Sequence, residues 1–136
     1  MSNASDYLEN NIANLFRTTA VAKPAKIYVA LFTTLPNEAN VGGVEVSGGN
    51  YARVQNGPSD AAWSAPSGGN GQISNIPSIA FNNPTADWGT IIGFGLYDAL
   101  TAGNLLIFAP LSSPKTINAG DPPPAFSPGA LTIMID

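Results

Sequence analysis

Asp87 and Asp98 are the acidic residues whose positions best suit catalysis. Asp87 lies beside Trp88, and Asp98 follows the apolar segment Thr90–Tyr97. Two carboxylates are enough for glycoside hydrolysis, in which one acts as the acid and the other as base or nucleophile. Both aspartates also lie in turn-like sequence, where aspartate commonly bonds to nearby backbone. Turn formation is the simpler interpretation, because no separate signature of a sugar-binding cleft is present.

Histidine and cysteine are both absent from the 136 residues. Their absence excludes a Ser-His-Asp triad, a Cys-His dyad, a thiolate or imidazole zinc site and a CxxC redox pair. The oxygens of Asn82, Asn83, Asp87 and Asp98 could hold calcium, but their spacing matches no EF-hand or nonapeptide repeat. We therefore predict no enzymatic activity, no catalytic residues, and no bound metal or cofactor.

Charged side chains are scarce, at 9 acidic and 5 basic residues, or 10% of the chain. An ordinary soluble protein has about 25%. Five scattered cations cannot line a phosphate-binding groove, so we expect no nucleic-acid partner. We also expect no membrane partner, because the longest apolar run, around Ile27–Phe32, is far shorter than the ~20 residues of a membrane-spanning helix. No signal peptide is expected, because residues 1–6 show no basic and no apolar region. A surface with few ions loses little when another protein covers it, which favours a subunit of an assembly.

One segment, Asp6–Phe16, has the pattern of a helix. Asp6 could cap its first turn, with Glu9 three residues later, and Arg17 suits the negative pole at its end. The apolar residues form one stripe at helical spacing: Leu8, Ile12, Leu15 and Phe16. The stripe must pack on something, because so short a helix is marginal alone. It either packs on its own domain or forms an arm that docks on a neighbouring subunit.

Beyond the helix, a period of two and many β-branched residues predict strands. The predicted strands are Lys26–Thr34, Ile73–Phe81 (bent at Pro77), Thr90–Tyr97, Asn104–Leu111 and Ala130–Asp136. Ser47-Gly48-Gly49 indicates a hairpin between Val44–Val46 and Asn50–Gln55. Gly93 and Gly95 indicate close approach of a backbone or ring to one face of their strand.

The predicted fold is therefore all-β, an antiparallel β-sandwich or small barrel with one short N-terminal α-helix. Residues 1–136 form a single domain, with residues 1–25 as an N-terminal helix and arm.

Three aromatic residues could form a binding surface. Trp63 lies in the long loop Gly57–Gln72, and with Trp88 and Tyr51 it could form a platform for a carbohydrate or a protein partner. Core or loop-anchoring roles are the alternative.

Arg53 could pair with Glu45 across the hairpin, and an exposed pair of that kind contributes under ~1 kcal/mol.

A series of short motifs occurs in a fixed order along the chain. The motifs are Asp6–Asn10, Leu15–Arg17, Tyr28–Thr33, Glu45–Arg53, Ala86–Gly89, Gly93–Ala99, Gly103–Leu106, Lys115–Asp121 and Pro128–Ile133. The most specific are EVSGGxYAR at Glu45–Arg53 and the ADWG and YDA blocks. With these motifs the sequence resembles a family of small virion proteins of tailed bacteriophages. Its members are variously labelled head decoration, head fibre or tail fibre proteins.

This resemblance implies a virion structural protein that is assembled in the host cytoplasm. The first expectation is a capsid decoration or cement protein, a homotrimer that binds the major capsid protein and stabilises the mature lattice. The alternative is a tail-fibre or baseplate component that contacts the host surface. The residues expected to bind a partner are Leu8, Ile12, Leu15, Phe16, Arg17 and Trp63.

Overall fold

The structure is a computed structural model that describes residues 2–135. Its strands are β1 (Asn3–Ala4), β2 (Tyr28–Thr34), β3 (Val44–Glu45), β4 (Val54–Gln55), β5 (Gln72–Ser74), β6 (Ile79–Ala80), β7 (Gly89–Tyr97), β8 (Leu105–Ile117), β9 (Ala125–Phe126) and β10 (Thr132–Met134). The helix α1 (Asp6–Ala13) continues as a 3₁₀ turn, Asn14–Phe16. The prediction of an all-β protein with one N-terminal helix is confirmed.

An antiparallel sheet in the order β1-β8-β7-β2-β3 forms the centre of the molecule, and β4 also pairs with β2. Two small sheets, β5–β10 and β6–β9, accompany it. Residues of these small sheets, such as Ile79 and Ile133, share one core with Val29 and Leu31 of β2. The result is an uneven sandwich in which the small sheets cover one face of the large one.

The other face of the central sheet has its own smaller core. Alternate residues of β2 point to it, so Ala30 and Phe32 pack there with Tyr97, Leu105 and Phe108. A Cβ on Gly95 would lie 2.8 Å from the Phe32 ring. The predicted close approach to this strand is therefore confirmed, and β2 is buried on both faces as its unbroken apolar run indicated.

The predicted hairpin between Val44–Val46 and Asn50–Gln55 is wrong. Both β3 and β4 pair with β2, in registers that include Phe32↔Glu45 and Val29↔Val54, and they follow one another along the same edge. Gly48, Gly49 and Asn50 all have positive φ and turn the chain away from that edge and back to it. The turn is a local excursion rather than a reversal.

Two other strand predictions need correction. The predicted strand Asn104–Leu111 runs on to Ile117 as β8, through Pro110 and Pro114. The prolines are tolerated because β1 pairs only with Ile107 and Phe108, so beyond them β8 has a neighbour on one side alone. The predicted strand Ile73–Phe81 divides into β5 and β6 on either side of Pro77.

The ends of the chain also differ from expectation. Residues 3–4 form the edge strand β1, so the start of the predicted arm belongs to the sheet. The helix cap is Ser5, not Asp6, because the Ser5 hydroxyl accepts a hydrogen bond from the Leu8 N–H at 3.2 Å. The same hydroxyl donates to the Leu105 carbonyl and is buried. The predicted terminal strand is shorter, and its last residue, Asp136, lies outside the described residues.

Candidate interaction surface

Asp87 and Asp98 do not form a catalytic pair. They lie at opposite ends of β7, whose nine residues span about 30 Å, whereas glycosidase carboxylates lie about 5–9.5 Å apart. Asp87 Oδ1 accepts from the Ala119 N–H at 2.8 Å. The Asp98 carboxylate accepts from the backbone and side-chain N–H groups of Asn104, at 2.7 and 2.8 Å. Each aspartate therefore holds a turn, as the simpler interpretation proposed.

The four calcium candidates do not converge, because Asp98 lies at the far end of β7 from Asp87, and Asn82 and Asn83 contact the turn at Asn50. Asn82 Nδ2 donates to the Asn50 carbonyl, and Asn50 Nδ2 donates to the Asn83 carbonyl, both at 3.0 Å. Within residues 2–135, no three acidic, histidine or cysteine side chains cluster as a metal site would require.

No helix in that part of the chain is long and apolar enough to cross a membrane.

Glu45 and Arg53 form the predicted ion pair, but the pair is not exposed as expected. Arg53 Nε and Nη2 donate to the two carboxylate oxygens of Glu45 at 2.9 and 2.7 Å, and the arginine side chain is only 7% exposed. Arg53 Nη1 donates to the carbonyls of Ala99 and Ala102. The guanidinium carbon lies 3.7 Å from the centre of the Tyr97 ring. One arginine thus joins β3 to the turn after β7.

Two tyrosines complete this network. The Tyr51 hydroxyl accepts from the Leu31 N–H at 3.0 Å and donates to Glu45 at 2.8 Å, so it takes the place of a strand partner for β2. Burial, and then the negative charge of Glu45, raise the pKa of Tyr51. Burial also raises the pKa of Tyr97, although the Arg53 charge opposes it. Burial by itself lowers the pKa of Arg53. The hydrogen bond to Glu45 and the negative charge of Glu45 outweigh this effect, so the pKa of Arg53 is raised.

The most specific sequence motifs therefore meet inside the fold. Trp88 of the ADWG block donates its indole N–H to the Gly49 carbonyl at 2.8 Å, and a Cβ on Gly49 would lie 2.9 Å from that indole nitrogen. The YDA block supplies Tyr97, Asp98 and the Ala99 carbonyl to the contacts above. These motifs hold the fold together.

Trp63 is buried and anchors its loop. It is 8% exposed, and its indole N–H donates to the Asn56 carbonyl at 3.0 Å. Trp88 is also buried, and Tyr51 is half-buried. The aromatic residues thus do not form an exposed platform, and the loop-anchoring or core alternative describes them.

The predicted helical stripe divides into two halves. Leu8 packs against the larger core, and Ile12 is half-buried, so the first half docks on its own domain. Leu15 and Phe16 are 65% and 89% exposed, and Arg17 is exposed beyond them. The division follows from anchoring: Ser5 and β1 fix the start of α1 on β8, and the 3₁₀ turn carries the end away from the sheet. We call the exposed apolar group of Tyr7, Leu15, Phe16 and Val21 the N-terminal patch.

A deep apolar groove of about 710 Å³ lies beside the patch. Leu8 and Trp63 contribute to the same groove, so it brings together two of the residues predicted to bind a partner. Its apolar lining comes from the start of α1, the loop before β2, the Trp63 loop, the strands β5, β7, β8 and β10, and the residue that follows β10. The lining residues are Leu8, Pro24, Ile27, Pro58, Trp63, Ala65, Pro66, Ile73, Leu96, Leu106, Ile107, Ile133 and Ile135. A shallower depression, bordered by Tyr7, Ile12, Leu15 and Val21, continues from it past Leu8 and Leu106.

Sequence reasoning missed several members of this surface. Tyr7 lies outside the helical stripe, and Val21 is an isolated apolar residue in irregular sequence, so neither gave a periodic signal. Ile133 and Ile135 do alternate in the last predicted strand, but alternation cannot show which other strand faces them. Their approach to Leu8 depends on long-range packing.

An exposed apolar patch beside a groove is typical of a site of contact with another protein or a ligand. The family model described as podophage GP4 fiber I protein gp80 matches residues 3–134. The chain therefore belongs to this family, and it is a phage virion structural protein. The resemblance inferred from the motifs is confirmed. No curated protein matches the chain.

Proposed function

We propose that this protein is a non-enzymatic subunit of a virion fibre and joins its neighbours in the virion through the N-terminal patch and the apolar groove. The observation that carries the proposal is the exposure of Leu15 and Phe16 on an element that is otherwise fixed to the sheet. The family description, a fibre protein, supports a fibre over other virion locations.

The energetics favour this surface as the adhesive one. Burying a leucine or phenylalanine side chain stabilises a complex by about 1.5–3 kcal/mol relative to leaving it in water. Leu15 and Phe16 are held in place before binding, because the Ser5 cap and β1 fix their helix, so little conformational entropy is lost on association. Few ions would need to be desolvated around them.

Capsid decoration is the second candidate, and the low charge of the whole surface favours it. A protein that covers a lattice must desolvate much of its own surface, and this chain has only 9 acidic and 5 basic residues to desolvate. In that role a homotrimer would bind the major capsid protein and stabilise the mature shell by mass action. Assembly in the host cytoplasm is part of both proposals.

The number of copies in each virion separates the two candidates. A fibre at a tail axis has cyclic symmetry and needs at most about twenty copies, whereas a decorated icosahedral lattice needs hundreds. Quantitative mass spectrometry of purified virions, with the major capsid protein as internal standard, gives the ratio. A ratio near one decoration subunit for every capsid subunit would exclude the fibre proposal.

The adhesive role is tested with Leu15→Asp and Phe16→Asp in phage that obtain this protein only from a plasmid. Both side chains are exposed, so the variants should fold normally and yet be incorporated into virions at least tenfold less. Val41→Asp is the matched control, because Val41 is 62% exposed and lies in a different loop. Removing residues 1–17 is a poorer test, since it also deletes β1 and the helix cap. Normal incorporation of both variants would contradict the proposal.

A further inference from the structure

The apolar groove and the exposed end of the helix have complementary chemistry. The groove, at about 710 Å³, falls in the range of ligand pockets, about 300–1,000 Å³, and so has room for several side chains. Leu15 and Phe16 lie in the 3₁₀ turn and are largely exposed, at 65% and 89%. We call Leu15, Phe16 and Arg17 the knob.

The knob cannot fill the groove of its own chain. Leu8, at the start of α1, forms part of the groove wall, and Phe16 lies eight residues further on, about 12 Å along the helical axis. The helix is fixed at its start by the Ser5 cap and by β1, so it cannot turn its far end back. The groove of one chain is therefore open to the knob of another copy.

The charges at the two surfaces also match. Among residues 2–135, Glu45–Arg53 is the single ion pair, so neither Arg17 of the knob nor Asp60 at the rim of the groove has an ion-pair partner there. The other charged rim residue is Lys23. Asp60 is thus the rim residue whose charge is opposite to that of the knob.

We propose that the knob of one copy docks in the apolar groove of a second copy, with Arg17 beside Asp60 of that copy. This inference rests on the proposed function and names the neighbour as the same chain. Each copy gives one knob and offers one groove, so the contacts form a dimer or a ring, such as the trimer expected from the sequence, when the rotation between copies closes, and an open filament when it does not.

The absence of cysteine makes site-directed cross-linking a clean test. A Thr18→Cys chain, whose thiol follows the knob, is mixed with an Ala65→Cys chain, whose thiol lines the groove, and treated with a short bis-maleimide. We expect at least tenfold more heterodimer than with Ser113→Cys, an exposed position on the outer edge of β8. Adding Phe16→Asp to the Thr18→Cys chain should abolish the product. Equal yields with Ala65→Cys and Ser113→Cys would overturn the proposal.

Charge reversal tests the orientation independently. Analytical ultracentrifugation should show that Phe16→Ala raises the self-association Kd at least tenfold, while Val41→Ala leaves it unchanged. Arg17→Asp and Asp60→Arg should each weaken association, and the double variant should recover most of the loss. A Kd that no single substitution changes, or a chain that stays monomeric at every concentration, would overturn the proposal.

Virion incorporation separates the failure of this inference from the failure of the proposed function. If the protein does not self-associate but Phe16→Asp still lowers its incorporation, the knob binds a different virion protein and the inference is overturned, whereas the proposed function stands. If the protein self-associates through the knob and Phe16→Asp is incorporated normally, the inference stands and the proposed adhesive role fails.

Discussion

Arg53 shows how a single side chain can connect distant parts of this fold. Its guanidinium makes two hydrogen bonds to Glu45 and one each to the Ala99 and Ala102 carbonyls, and it lies over the Tyr97 ring. Breaking a buried pair costs far more than losing an exposed one, because the remaining charge stays buried without a partner. The residues that carry the family motif thus stabilise the sheet edge.

The first prediction concerns the geometry of this contact. Arg53→Lys keeps the charge but loses the planar fork that binds both carboxylate oxygens and two carbonyls. We expect the free energy of unfolding, measured by urea titration, to fall by about 2–3 kcal/mol. Arg17→Lys, at an exposed arginine, is the matched control and should stay within ~0.5 kcal/mol of the wild type. Equal stability of the two variants would show that charge alone is what matters at Arg53.

Tyr51 gives the second prediction, an alkaline limit to stability. Burial raises its pKa above the ordinary tyrosine value of 10.0 in the folded state, so the folded protein holds the phenolic proton more tightly than the unfolded chain does. This stabilisation is complete below pH 10 and is lost as the pH rises above 10, by about 1.4 kcal/mol for each pH unit.

The test compares chemical denaturation of the wild type and Tyr51→Phe between pH 9 and 11. The variant loses the hydrogen bonds to Leu31 and Glu45 and should be less stable at pH 9. Its stability should fall less steeply above pH 10, because it lacks the titrating hydroxyl. Parallel curves for the two proteins would exclude Tyr51 as a source of the alkaline loss.

Among the elements, the strands that sequence predicted best are those buried on both faces. β2 and β7 carry apolar residues at adjacent positions, on both faces, and a strand of that kind is recognisable without knowing its neighbours. The segment from Val44 to Gln55 is not the hairpin that its sequence predicts. A glycine turn has the same sequence signature whether it reverses the chain to form a hairpin or leaves the edge of a sheet and returns to it. Which strand the flanking residues pair with is decided by long-range contacts, here the Tyr51 hydroxyl on Leu31.

The candidate surface was predictable only in part, for a similar reason. The apolar spacing from Leu8 to Phe16 placed the residues on one helical stripe, which local sequence determines. Where that stripe leaves its own domain depends on the anchoring of Ser5 to Leu105, a hundred residues away in the chain. The groove depends on Ile133 and Trp63 meeting Leu8, and no local pattern encodes that.

The excursion between β3 and β4 gives the third prediction. Gly48 and Gly49 both have positive φ, which costs about 1–2 kcal/mol for a residue with a Cβ. A Cβ on Gly48 would meet nothing within 4 Å, whereas one on Gly49 would lie 2.9 Å from the Trp88 indole nitrogen. Gly48→Ala is therefore the matched control, and Gly49→Ala should lose at least ~1 kcal/mol more in a thermal or urea unfolding measurement. Equal losses would mean that Trp88 moves aside freely.

At the scale of the whole molecule, the two ends of the chain and the helix converge on one region. The Ser2 hydroxyl donates to the Met134 carbonyl and accepts from the Met134 N–H, both at 2.8 Å. β1 pairs with β8 directly before α1 begins, and Ile133 and Ile135 line the groove beside the helix. The fold thus places both described chain ends, the helix and the groove in one region of the molecule.

The scarcity of charge leads to the fourth prediction, that attachment in the virion resists salt. Exposed charges are screened within about 10 Å at 0.1 M salt and about 3 Å at 1 M, so contacts made by ion pairs weaken steeply over this range. The patch and groove are apolar, and a single exposed Arg17–Asp60 contact is worth at most about 1 kcal/mol, or roughly fivefold in affinity.

Virions washed in 0.1 M and 1 M sodium chloride should therefore retain this protein to within about fivefold, and sodium sulfate, which strengthens apolar burial, should improve retention. Phe16→Ala should lower retention at both salt concentrations by the same factor, because the phenylalanine contact carries no charge. If 1 M salt releases the protein from wild-type virions, its attachment depends on the few charged residues. The N-terminal patch is then not the surface that holds the protein in the virion.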